Sequence, residues 1–398
     1  MKKKLFLFTD SYPYGTSESF LTLELNYLAT KFEKIYLIPQ NNGTTIREIP
    51  ENVCLLEIPE KKSIRLHTIL LNNFNIIFVF IFEILKSKNR WVYIKHCKQY
   101  FLQLMLWLSE TISLKDSIEV HSENCILYSY WLNEWGIRLA IYKKLFNPNI
   151  KLISRIHGYD FDEIQLNNSF HPYRNFVLSQ YNKIVSVSDY GKNYIQNKFK
   201  SYNQKLFTSY LGIKDSNQLS TIDNAYSIVS CSAVIELKRI DLIIDILKYI
   251  QIPIKWIHFG DGILLEQMKD KSKELPTNIQ VEWKGQVDNQ AILSYYKNNS
   301  ICLLINTSDY EGLPYSMIEA ISFGIPICGR NVCGIPEIVN EQTGILIDID
   351  IEKTANQISD FLMHKSLNSK FRENVKAYWN LNFNADVNYP HFIKNYLN

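Results

Sequence analysis

The sequence predicts an α/β protein with two domains, each a parallel sheet wrapped in helices. The chain has 398 residues, which is more than a single hydrophobic core usually supports. Short β-branched and aromatic runs alternate with longer amphipathic runs almost throughout, and this alternation is typical of parallel sheets with helical crossovers. The alternation is interrupted by the polar stretch GIKDSNQLSTIDNAY (212–226), which we interpret as a linker.

Residues 1–211 are predicted to form the first domain. Its strand candidates are short and mostly apolar: KLFLFT (4–9), KIYLIP (34–39), CILYSY (125–130), KLISRI (151–156) and KIVSVS (183–188). Between the first two lies ESFLTLELNYLATKF (18–32), whose apolar spacing predicts a helix. The start of the chain, MKKKLFLFTDSYPYG, predicts the first strand and not a signal peptide, because the apolar run before Asp10 is short.

Residues 227–380 are predicted to form the second domain. Its strand candidates are SIVSCSAV (227–234), IKWIHFG (254–260), IQVEWKG (279–285) and ICLLI (301–305). Residues 381–398 are predicted to form a C-terminal helix that packs back on the first domain. Because ligands of parallel α/β sheets bind outside the carboxyl ends of the strands, we expect a deep cleft with the two sheets facing across it.

Composition argues against several classes of protein. Seven cysteines are scattered without a Cys-x-x-Cys pair, which argues against a disulfide framework or a zinc site and for a reducing, cytoplasmic compartment. No Gly-x-Gly-x-x-Gly follows a strand, so a dinucleotide-dependent oxidoreductase is not supported. The formal net charge is +3, yet residues 61–98 hold eight Lys or Arg side chains and a single acid, Glu83.

This basic region contains NIIFVFIFEIL (75–85), whose apolar run is too short to span a bilayer. Two interpretations remain open. The run is either a buried helix with a solvated basic flank, or part of a surface, residues 61–108, that contacts anionic membrane lipids. Binding to nucleic acid is less favoured, because no nucleic-acid motif accompanies the charge.

The stretch SDYEGLPYSMIEAISFGIPI (308–327) holds the clearest candidate site. Pro314 suits the start of a helix and Gly324 its end, so the amide groups of the first turn form a seat for phosphate. Glu319 lies inside the helix and Glu311 in the loop ahead of it, and carboxylates accept hydrogen bonds from vicinal sugar hydroxyls. The stretch therefore predicts a site for a nucleotide sugar. The alternative is a capped helix with two incidentally exposed glutamates.

In these residues the sequence resembles the retaining GT-B glycosyltransferases of family 4 (glycosyl transferases group 1). The family signature, two glutamates separated by seven residues, is matched by EGLPYSMIEAISFGIP. Further segments that resemble the family are VCGIPEIVNEQTGILID (332–348), SAVIELKRIDLIIDIL (232–247), FGDG (259–262), WKGQV (283–287), IHGYD (156–160), VSVSDYGKNYI (185–195) and YLGIK (210–214). The resemblance covers nearly the whole chain and implies a GT-B fold of two Rossmann-like domains, the first binding the acceptor and the second the donor.

The resemblance also implies roles for matching residues on the donor side. Glu319 would hold the ribose hydroxyls, and Glu311 would hold hydroxyls of the donor sugar. Lys238 would neutralise the charge that grows on the leaving phosphate. The remaining donor-binding residues would act through backbone groups or close approach: Gly312, Leu313 and Tyr315 at the diphosphate, Gly285 and Val287 at the base, and Gly15 in the turn after the first strand.

On the acceptor side the resemblance implies fewer residues. His157 matches the His-Gly turn of the family and would face the reacting sugar, as a catalytic residue beside Lys238 and Glu311. The aromatic residues expected to line the acceptor site are Tyr12, Tyr14 and Tyr159.

One departure from the family pattern concerns the second cation. The family commonly has an arginine five positions before the lysine, where this chain has Ala233, and Arg239 replaces the usual glycine after the lysine. Either Arg239 supplies the second cation to the diphosphate, or the enzyme works with a single cation, Lys238.

No metal or cofactor is expected beyond the nucleotide-sugar donor, for which UDP- and GDP-linked sugars are favoured. Two Asp-x-Asp strings, Asp160-Phe161-Asp162 and Asp348-Ile349-Asp350, look like metal–diphosphate motifs but lie away from the phosphate seat. A helix N-terminus and one lysine neutralise a diphosphate without metal. The resemblance implies retention of anomeric configuration.

The sequence therefore predicts a cytoplasmic hexosyltransferase, peripheral at the inner membrane face. It would move a sugar from a nucleotide donor to a lipid-linked glycan in cell-surface polysaccharide synthesis. One alternative is a non-catalytic partner or scaffold of the same fold in a polysaccharide assembly complex, for which Ala233 is the only support. A glycoside hydrolase would also need two carboxylates, but it would not need the phosphate seat.

Overall fold

The computed structural model divides the chain into two compact units. The structure describes residues 3–15, 17–58, 73–118, 120, 124–161, 170–223 and 225–398. The first unit comprises Met1–Ser209 together with Tyr389–Asn398, and the second comprises Tyr210–Asn388. Each unit is a parallel sheet with helices in the crossovers, which confirms the predicted α/β class with two Rossmann-like domains.

The sheet of the first unit has seven parallel strands in the order β3-β2-β1-β4-β5-β6-β7. The strands are β1 (Lys4–Thr9), β2 (Lys34–Pro39), β3 (Val53–Leu55), β4 (Cys125–Ser129), β5 (Lys151–Ile156), β6 (Lys183–Ser186) and β7 (Leu206–Thr208). The central strands are buried almost end to end, as expected for a sheet covered on both faces. The edge strands β3 and β7, three residues each, were not predicted from the sequence.

The first unit contains eight described α-helices before its last strand, some of them short. They are α1 (Leu21–Lys31), α2 (Ile76–Lys86), α3 (Arg90–Lys95), α4 (Cys97–Ser117), α5 (Glu134–Leu145), α6 (Gly158–Phe161), α7 (Arg174–Gln180) and α8 (Asp189–Lys198). Within the described ranges, no helix is both long and apolar enough to cross a bilayer.

The sheet of the second unit has six parallel strands in the order β10-β9-β8-β11-β12-β13. The strands are β8 (Ser227–Cys231), β9 (Ile254–Phe259), β10 (Ile279–Gly285), β11 (Leu303–Asn306), β12 (Ile327–Arg330) and β13 (Gly344–Ile347). The helices are α9 (Ile240–Leu247), α10 (Leu265–Ser272), α11 (Asn289–Asn298), α12 (Tyr315–Ser322), α13 (Ile351–His364) and α14 (Ser369–Asn382). Apolar side chains fill a separate core on each face of this sheet.

The segment predicted as a linker is held against the second unit. Ile213 forms a β-bridge with Asn384, and the Ser220 amide donates to the Phe323 carbonyl at 2.9 Å. Near the C-terminus, α15 (Ala385–Phe392) and a π-helical turn (Ile393–Leu397) follow α14. The side chains of Phe392, Ile393 and Leu397 pack in the core of the first unit with leucines of β1 and α1.

Each sheet has a topological switch point, where the order of the strands reverses. In the first sheet the point lies between β1 and β4, and in the second it lies between β8 and β11. Ligands of open α/β sheets bind outside the carboxyl ends of the strands at such points. Lys238 follows β8 and Glu311 follows β11, so the second switch point brings two of the predicted site residues together.

Candidate active site

An ion pair joins the two loops of the second switch point. Lys238 ends a 3₁₀ turn after β8, and its Nζ lies 2.7 Å from Glu311 Oε1. Ser308 Oγ donates to the same oxygen at 2.7 Å, and Asn306 Nδ2 does so at 3.3 Å. In the described part of the chain no group donates to Glu311 Oε2. One oxygen of this carboxylate is therefore fixed, and the other is open to a ligand.

Two further hydrogen bonds fix these loops to each other. Thr307 Oγ1 donates to the Arg239 carbonyl at 2.8 Å, and the Asp309 amide donates to the Leu237 carbonyl at 2.9 Å. Because the bonds join the backbone after β8 to the residues after β11, the loops form a single support. The separation of the ammonium and carboxylate groups is thus set before any ligand binds.

The second glutamate, Glu319, lies in α12 and is only 4% exposed. Asn289 Nδ2, from the first residue of α11, donates to Glu319 Oε1 at 2.7 Å. Burial raises the pKa of Glu319 to about 7, and the hydrogen bond from Asn289 partly opposes the rise. No donor to Oε2 is found among the described residues. This carboxylate, like Glu311, has one fixed oxygen and one open oxygen.

The thiol of Cys231, at the end of β8, lies within electrostatic range of both Glu319 and Lys238. Burial raises the pKa of Cys231 to about 12; the charge of Glu319 adds to the rise and the charge of Lys238 opposes it. The charges of Glu319 and Lys238 therefore both act on this thiol at the end of β8. The geometry brings Lys238, Glu311 and Glu319 to one edge of the second sheet.

Burial of Glu319 has a consequence for stability that can be measured. A carboxyl whose pKa rises from 4.5 in the unfolded chain to about 7 in the folded one stabilises the fold below pH 4.5 and loses that contribution as pH rises to 7. The loss amounts to roughly 3 kcal/mol. Glu319→Gln is therefore expected to raise the melting temperature, and by roughly 5 to 10 °C more at pH 8 than at pH 5.

Thermal melts of the ligand-free protein at the two pH values test this expectation. Glu352→Gln, which removes an exposed glutamate of the same unit, is the matched control and should show no pH-dependent gain. A pH-independent effect of Glu319→Gln would mean that the carboxyl is ionised in the folded protein at pH 5 as well as at pH 8.

The N-terminus of α12 lies between the two carboxylates in sequence. Pro314 precedes the helix in an extended conformation, and no side chain in the described ranges caps the first turn. The Leu313 side chain packs on the core, and the Tyr315 hydroxyl donates to the Gly212 carbonyl at 3.3 Å. These side chains anchor the loop on both sides of Pro314.

Gly285 and Val287, predicted at the base of the nucleotide, lie just before α11. Gly285 has a φ of +65° with open space beside it, and its carbonyl accepts from the Gly260 amide at 2.8 Å. Val287 packs on the core, and Asn289 two residues later contacts Glu319. Asn289 therefore connects the segment predicted to bind the base with Glu319, which is predicted to bind the ribose.

The structure gives Arg239 partners within the protein. Its guanidinium contacts Asp241 at 3.0 Å and Asp309 at 3.4 Å, and Arg330 also pairs with Asp309. Arg239 has a φ of +50°, in the left-handed region, where a glycine would be unstrained. This backbone conformation explains why a glycine is usual at the position. Two carboxylates therefore hold the arginine side chain in the ligand-free protein.

In the first unit, His157 is buried among aromatic rings at the end of β5. Ring centroids of Phe20, Tyr130 and Trp131 lie 5.6, 5.0 and 4.3 Å from that of His157. The Nδ1 atom is 3.9 Å from Asp160 Oδ2, too far for a hydrogen bond, and neither ring nitrogen has a hydrogen-bond partner among the described residues. Because both nitrogens are buried, a ligand or water reaches them only if the surrounding rings move.

The three tyrosines expected at an acceptor differ in exposure. The loop after β1 turns Tyr12 inward beneath Arg47, and it buries Tyr14 with its hydroxyl donating to Glu57 at 3.3 Å. Neither ring offers surface to an acceptor, so the expectation for these two is corrected by their burial. Tyr159 is 56% exposed and keeps a surface. Gly15 has a φ of +62° and open space beside it.

The two Asp-x-Asp strings have structural tasks. Asp160 accepts from the amides of Leu132 at 2.8 Å and His157 at 2.9 Å. Asp350 caps α13 by accepting from the Lys353 amide at 3.1 Å. Asp162 lies outside the described residues. Within the residues that are described, no cluster of three or more His, Cys, Asp or Glu side chains is placed to hold a metal ion.

Three residues that hold the carboxylates were not identified from the sequence: Asn289, Asn306 and Ser308. Each follows or ends a parallel strand close to its carboxyl end. A polar side chain just after a predicted strand could have identified them from the sequence, because the carboxyl ends of neighbouring parallel strands meet at one edge of the sheet.

Comparison with known proteins supports the architecture. Residues 213–378 match the model of the family Glycosyl transferases group 1. The match lies within the second unit and includes both glutamates and Lys238.

Similarity to individual proteins extends into the first unit. The chain is 23% identical over 269 residues to N-acetyl-alpha-D-glucosaminyl L-malate synthase of Bacillus anthracis, covering 63% of this chain and 69% of that protein. It is 24% identical over 255 residues to poly(ribitol-phosphate) alpha-N-acetylglucosaminyltransferase of Staphylococcus aureus, covering 59% and 50%. The crystal structure of HepE from Anabaena in complex with UDP and glucose superposes with a TM-score of 0.66 at 14% identity, covering 98% of each chain. The last similarity establishes the fold.

Proposed function

We propose that this protein is a glycosyltransferase that moves a sugar from a nucleotide-sugar donor to a glycan. The proposal rests mainly on the hydrogen bonding of the Glu311 and Glu319 carboxylates. Each has one oxygen held by the protein and one without a donor in the described chain, and the uncapped N-terminus of α12 lies between them in sequence. Two acceptor oxygens and a seat for phosphate fit the hydroxyls and diphosphate of a nucleotide sugar.

The match of residues 213–378 to glycosyl transferases group 1 supports the same conclusion. UDP and glucose are bound by the Anabaena protein of similar fold. We therefore propose a nucleotide-diphosphate sugar, UDP- or GDP-linked, as the donor and the second unit as its binding domain.

In the proposed reaction, Glu319 accepts from the ribose hydroxyls and the amides of the first turn of α12 face the diphosphate. Lys238 lies where charge develops on the phosphate oxygen as the bond to the anomeric carbon breaks, so its ammonium stabilises the transition state more than the ground state. Glu311 holds hydroxyls of the transferred sugar, and we propose His157 of the first unit as a further catalytic residue. The acceptor oxygen then bonds to the anomeric carbon, and the acceptor proton leaves with the nucleotide. We propose that configuration is retained and that no metal takes part.

Nucleotide release from a panel of UDP-, GDP-, ADP- and CMP-sugars, with and without EDTA, tests this proposal. One donor should be hydrolysed slowly, with a rate that EDTA does not change, and Glu319→Ala should abolish the release. Thermal shift with the free nucleotides accompanies the panel. Binding without turnover would indicate an obligatory acceptor. If the protein neither binds nor turns over any of these nucleotides and sugars, the alternative is favoured, which is a non-catalytic partner of this fold in a polysaccharide assembly complex.

We further propose a lipid-linked acceptor in cell-surface polysaccharide synthesis, used by a cytoplasmic enzyme at the membrane face. The S. aureus relative is named for transfer to poly(ribitol-phosphate), which is consistent with an acceptor at the cell surface. The helices α2 to α4, together with Phe74 just before α2, carry an exposed apolar surface, formed by the side chains of Phe74, Ile77, Phe78, Ile81, Leu85, Trp91, Val92, Ile94, Leu102 and Leu106. A cluster of this kind is uncommon on a surface that contacts only water.

The charges around this apolar surface fit an anionic membrane. Residues 73–108 contain five Lys or Arg side chains and one acid, Glu83. Glu83 is buried, and its carboxylate accepts from the Phe176 amide at 2.9 Å, so it does not offset the basic residues at the surface. At the end of α2, a cavity of about 180 Å³ is lined in part by Lys86, Lys88 and Arg174. Residues 61–72, the other part of the predicted membrane region, lie outside the described residues.

Binding to vesicles tests the membrane contact. The double substitution Phe78→Ser and Trp91→Ser, at side chains 60% and 69% exposed, is expected to weaken binding to phosphatidylglycerol vesicles by roughly tenfold or more. Co-sedimentation of the protein with the vesicles measures it. Ile263→Ser, at a side chain 91% exposed in the second unit, is the matched control. Equal loss in the control, or no binding by the wild type, would exclude this surface.

A further inference from the structure

Glu18 occupies a cradle of backbone amides at the first switch point. Its Oε1 accepts from the Asp10 amide at 3.1 Å, and its Oε2 accepts from the amides of Ser11 at 2.8 Å and Tyr12 at 2.6 Å. Trp131 Nε1 also donates to Oε1, at 2.6 Å. Four N–H groups thus surround one buried carboxylate, in the place where many α/β sheets bind a phosphate of a ligand.

The cradle joins the loops of two neighbouring strands. Asp10, Ser11 and Tyr12 follow β1, while Trp131 follows β4, and the sequence separation between Glu18 and Trp131 is 113 residues. The backbone of Glu18 has a φ of +53°, which a side chain other than glycine adopts only at a cost of about 1 to 2 kcal/mol. Four charge-assisted hydrogen bonds offset that strain, since each is stronger than a neutral one.

The tryptophan held by Glu18 packs on His157. The two ring centroids are 4.3 Å apart at an interplanar angle of 42°. Phe20, two residues after Glu18, lies against both His157 and Trp131. Because neither ring nitrogen of His157 is hydrogen-bonded within the described chain, aromatic contacts are what orient the imidazole in the ligand-free protein.

We propose that Glu18 is a positioning residue for His157, acting through Trp131. The Glu18 carboxylate accepts hydrogen bonds from the backbone amides after β1 and from the Trp131 indole. It thereby fixes the position of the indole, which packs on the His157 imidazole. The inference rests on the proposed role of His157 in sugar transfer, but the structural link from the carboxylate to the imidazole does not depend on that role.

Chemical rescue tests the cradle directly. Glu18→Gly leaves a residue suited to a positive φ and removes the carboxylate, so formate or acetate can enter. We expect the nuclear magnetic resonance signals of the His157 ring to shift in this variant and to return with sodium formate, but not with sodium chloride at equal ionic strength. Unchanged His157 signals in the variant, or an equal response to both salts, would overturn the proposal.

Two further variants cover the case in which Glu18→Gly does not fold. Glu18→Gln keeps the size of the side chain but places an NH₂ group among N–H donors, and Trp131→Phe keeps a ring but removes the indole N–H. Each is expected to shift the His157 signals and to lower kcat by about 10- to 100-fold with little change in the KM for the donor. The double variant should lose no more than the worse single one, since both changes break one chain of contacts.

Additive losses in the double variant would overturn the proposal. A wild type without transferase activity would contradict the proposed function, while the His157 signals would still decide whether Glu18 positions the ring.

Discussion

Lys238→Met is expected to lower kcat by about 10²- to 10³-fold, because it removes the cation that is proposed to neutralise the leaving phosphate. The lysine and Glu311 are 2.7 Å apart, and the loops that carry them are tied by Thr307 and Asp309. A preorganised charge of this kind stabilises a transition state without reorganisation, so its loss falls mainly on kcat. Steady-state kinetics with the donor identified by the panel measure the effect.

Arg239→Met is the matched control for Lys238→Met. It removes the neighbouring cation with the same replacement, but the partners of Arg239, Asp241 and Asp309, are not predicted donor-binding residues, whereas the partner of Lys238 is Glu311. We therefore expect the arginine variant to lose less than tenfold in kcat, well short of the loss expected for Lys238→Met. Lys238→Arg should not restore full activity, because a planar guanidinium does not replace a compact ammonium. Equal losses at positions 238 and 239 would instead mean that Arg239 supplies the second cation.

The sequence predicted the fold because a parallel strand has a local signature. The runs 4–9, 34–39 and 279–285 were predicted as strands and occur with those bounds as β1, β2 and β10. A strand buried on both faces is apolar along its length, and that pattern needs no knowledge of its partners. Strands β3 and β7 lack the signature because they have three residues each.

The site was predictable in part for a related reason. Glu311 and Glu319 stand in one continuous motif, so the sequence alone places them around a helix start. Asn289 contacts Glu319 across 30 positions, and Glu18 contacts Trp131 across 113. Such contacts depend on which strands become neighbours, and no local spacing encodes that order. The sequence also did not predict the burial of Tyr12 and Tyr14, because the direction of these rings depends on how the loop after β1 folds.

Gly334→Ala is expected to displace the loop that carries Glu311, with a loss of roughly 3 kcal/mol in stability and about 10²-fold in kcat. A Cβ at position 334 would lie 1.9 Å from the Gly312 carbonyl oxygen and 3.0 Å from its carbon. Gly334 has a φ of −85°, which any residue adopts, so space and not backbone strain is what requires glycine. Denaturant unfolding and donor kinetics measure the two effects.

The close approach that excludes a methyl group at Gly334 lies beside a hydrogen bond that supports the candidate phosphate seat. The Gly334 amide donates to the Glu311 carbonyl at 3.2 Å, so the loop after β12 supports the backbone that leads into α12. Relief of the clash needs a backbone shift of about 1 Å, and a shift of that size moves the Glu311 carboxylate relative to Lys238. Gly136→Ala, inside α5 of the first unit and close to a flexible Leu132 side chain, is the control and should leave donor kinetics unchanged. Full activity in Gly334→Ala would show that the loop before α12 adapts freely, and the fixed geometry argued for Glu311 would then be wrong.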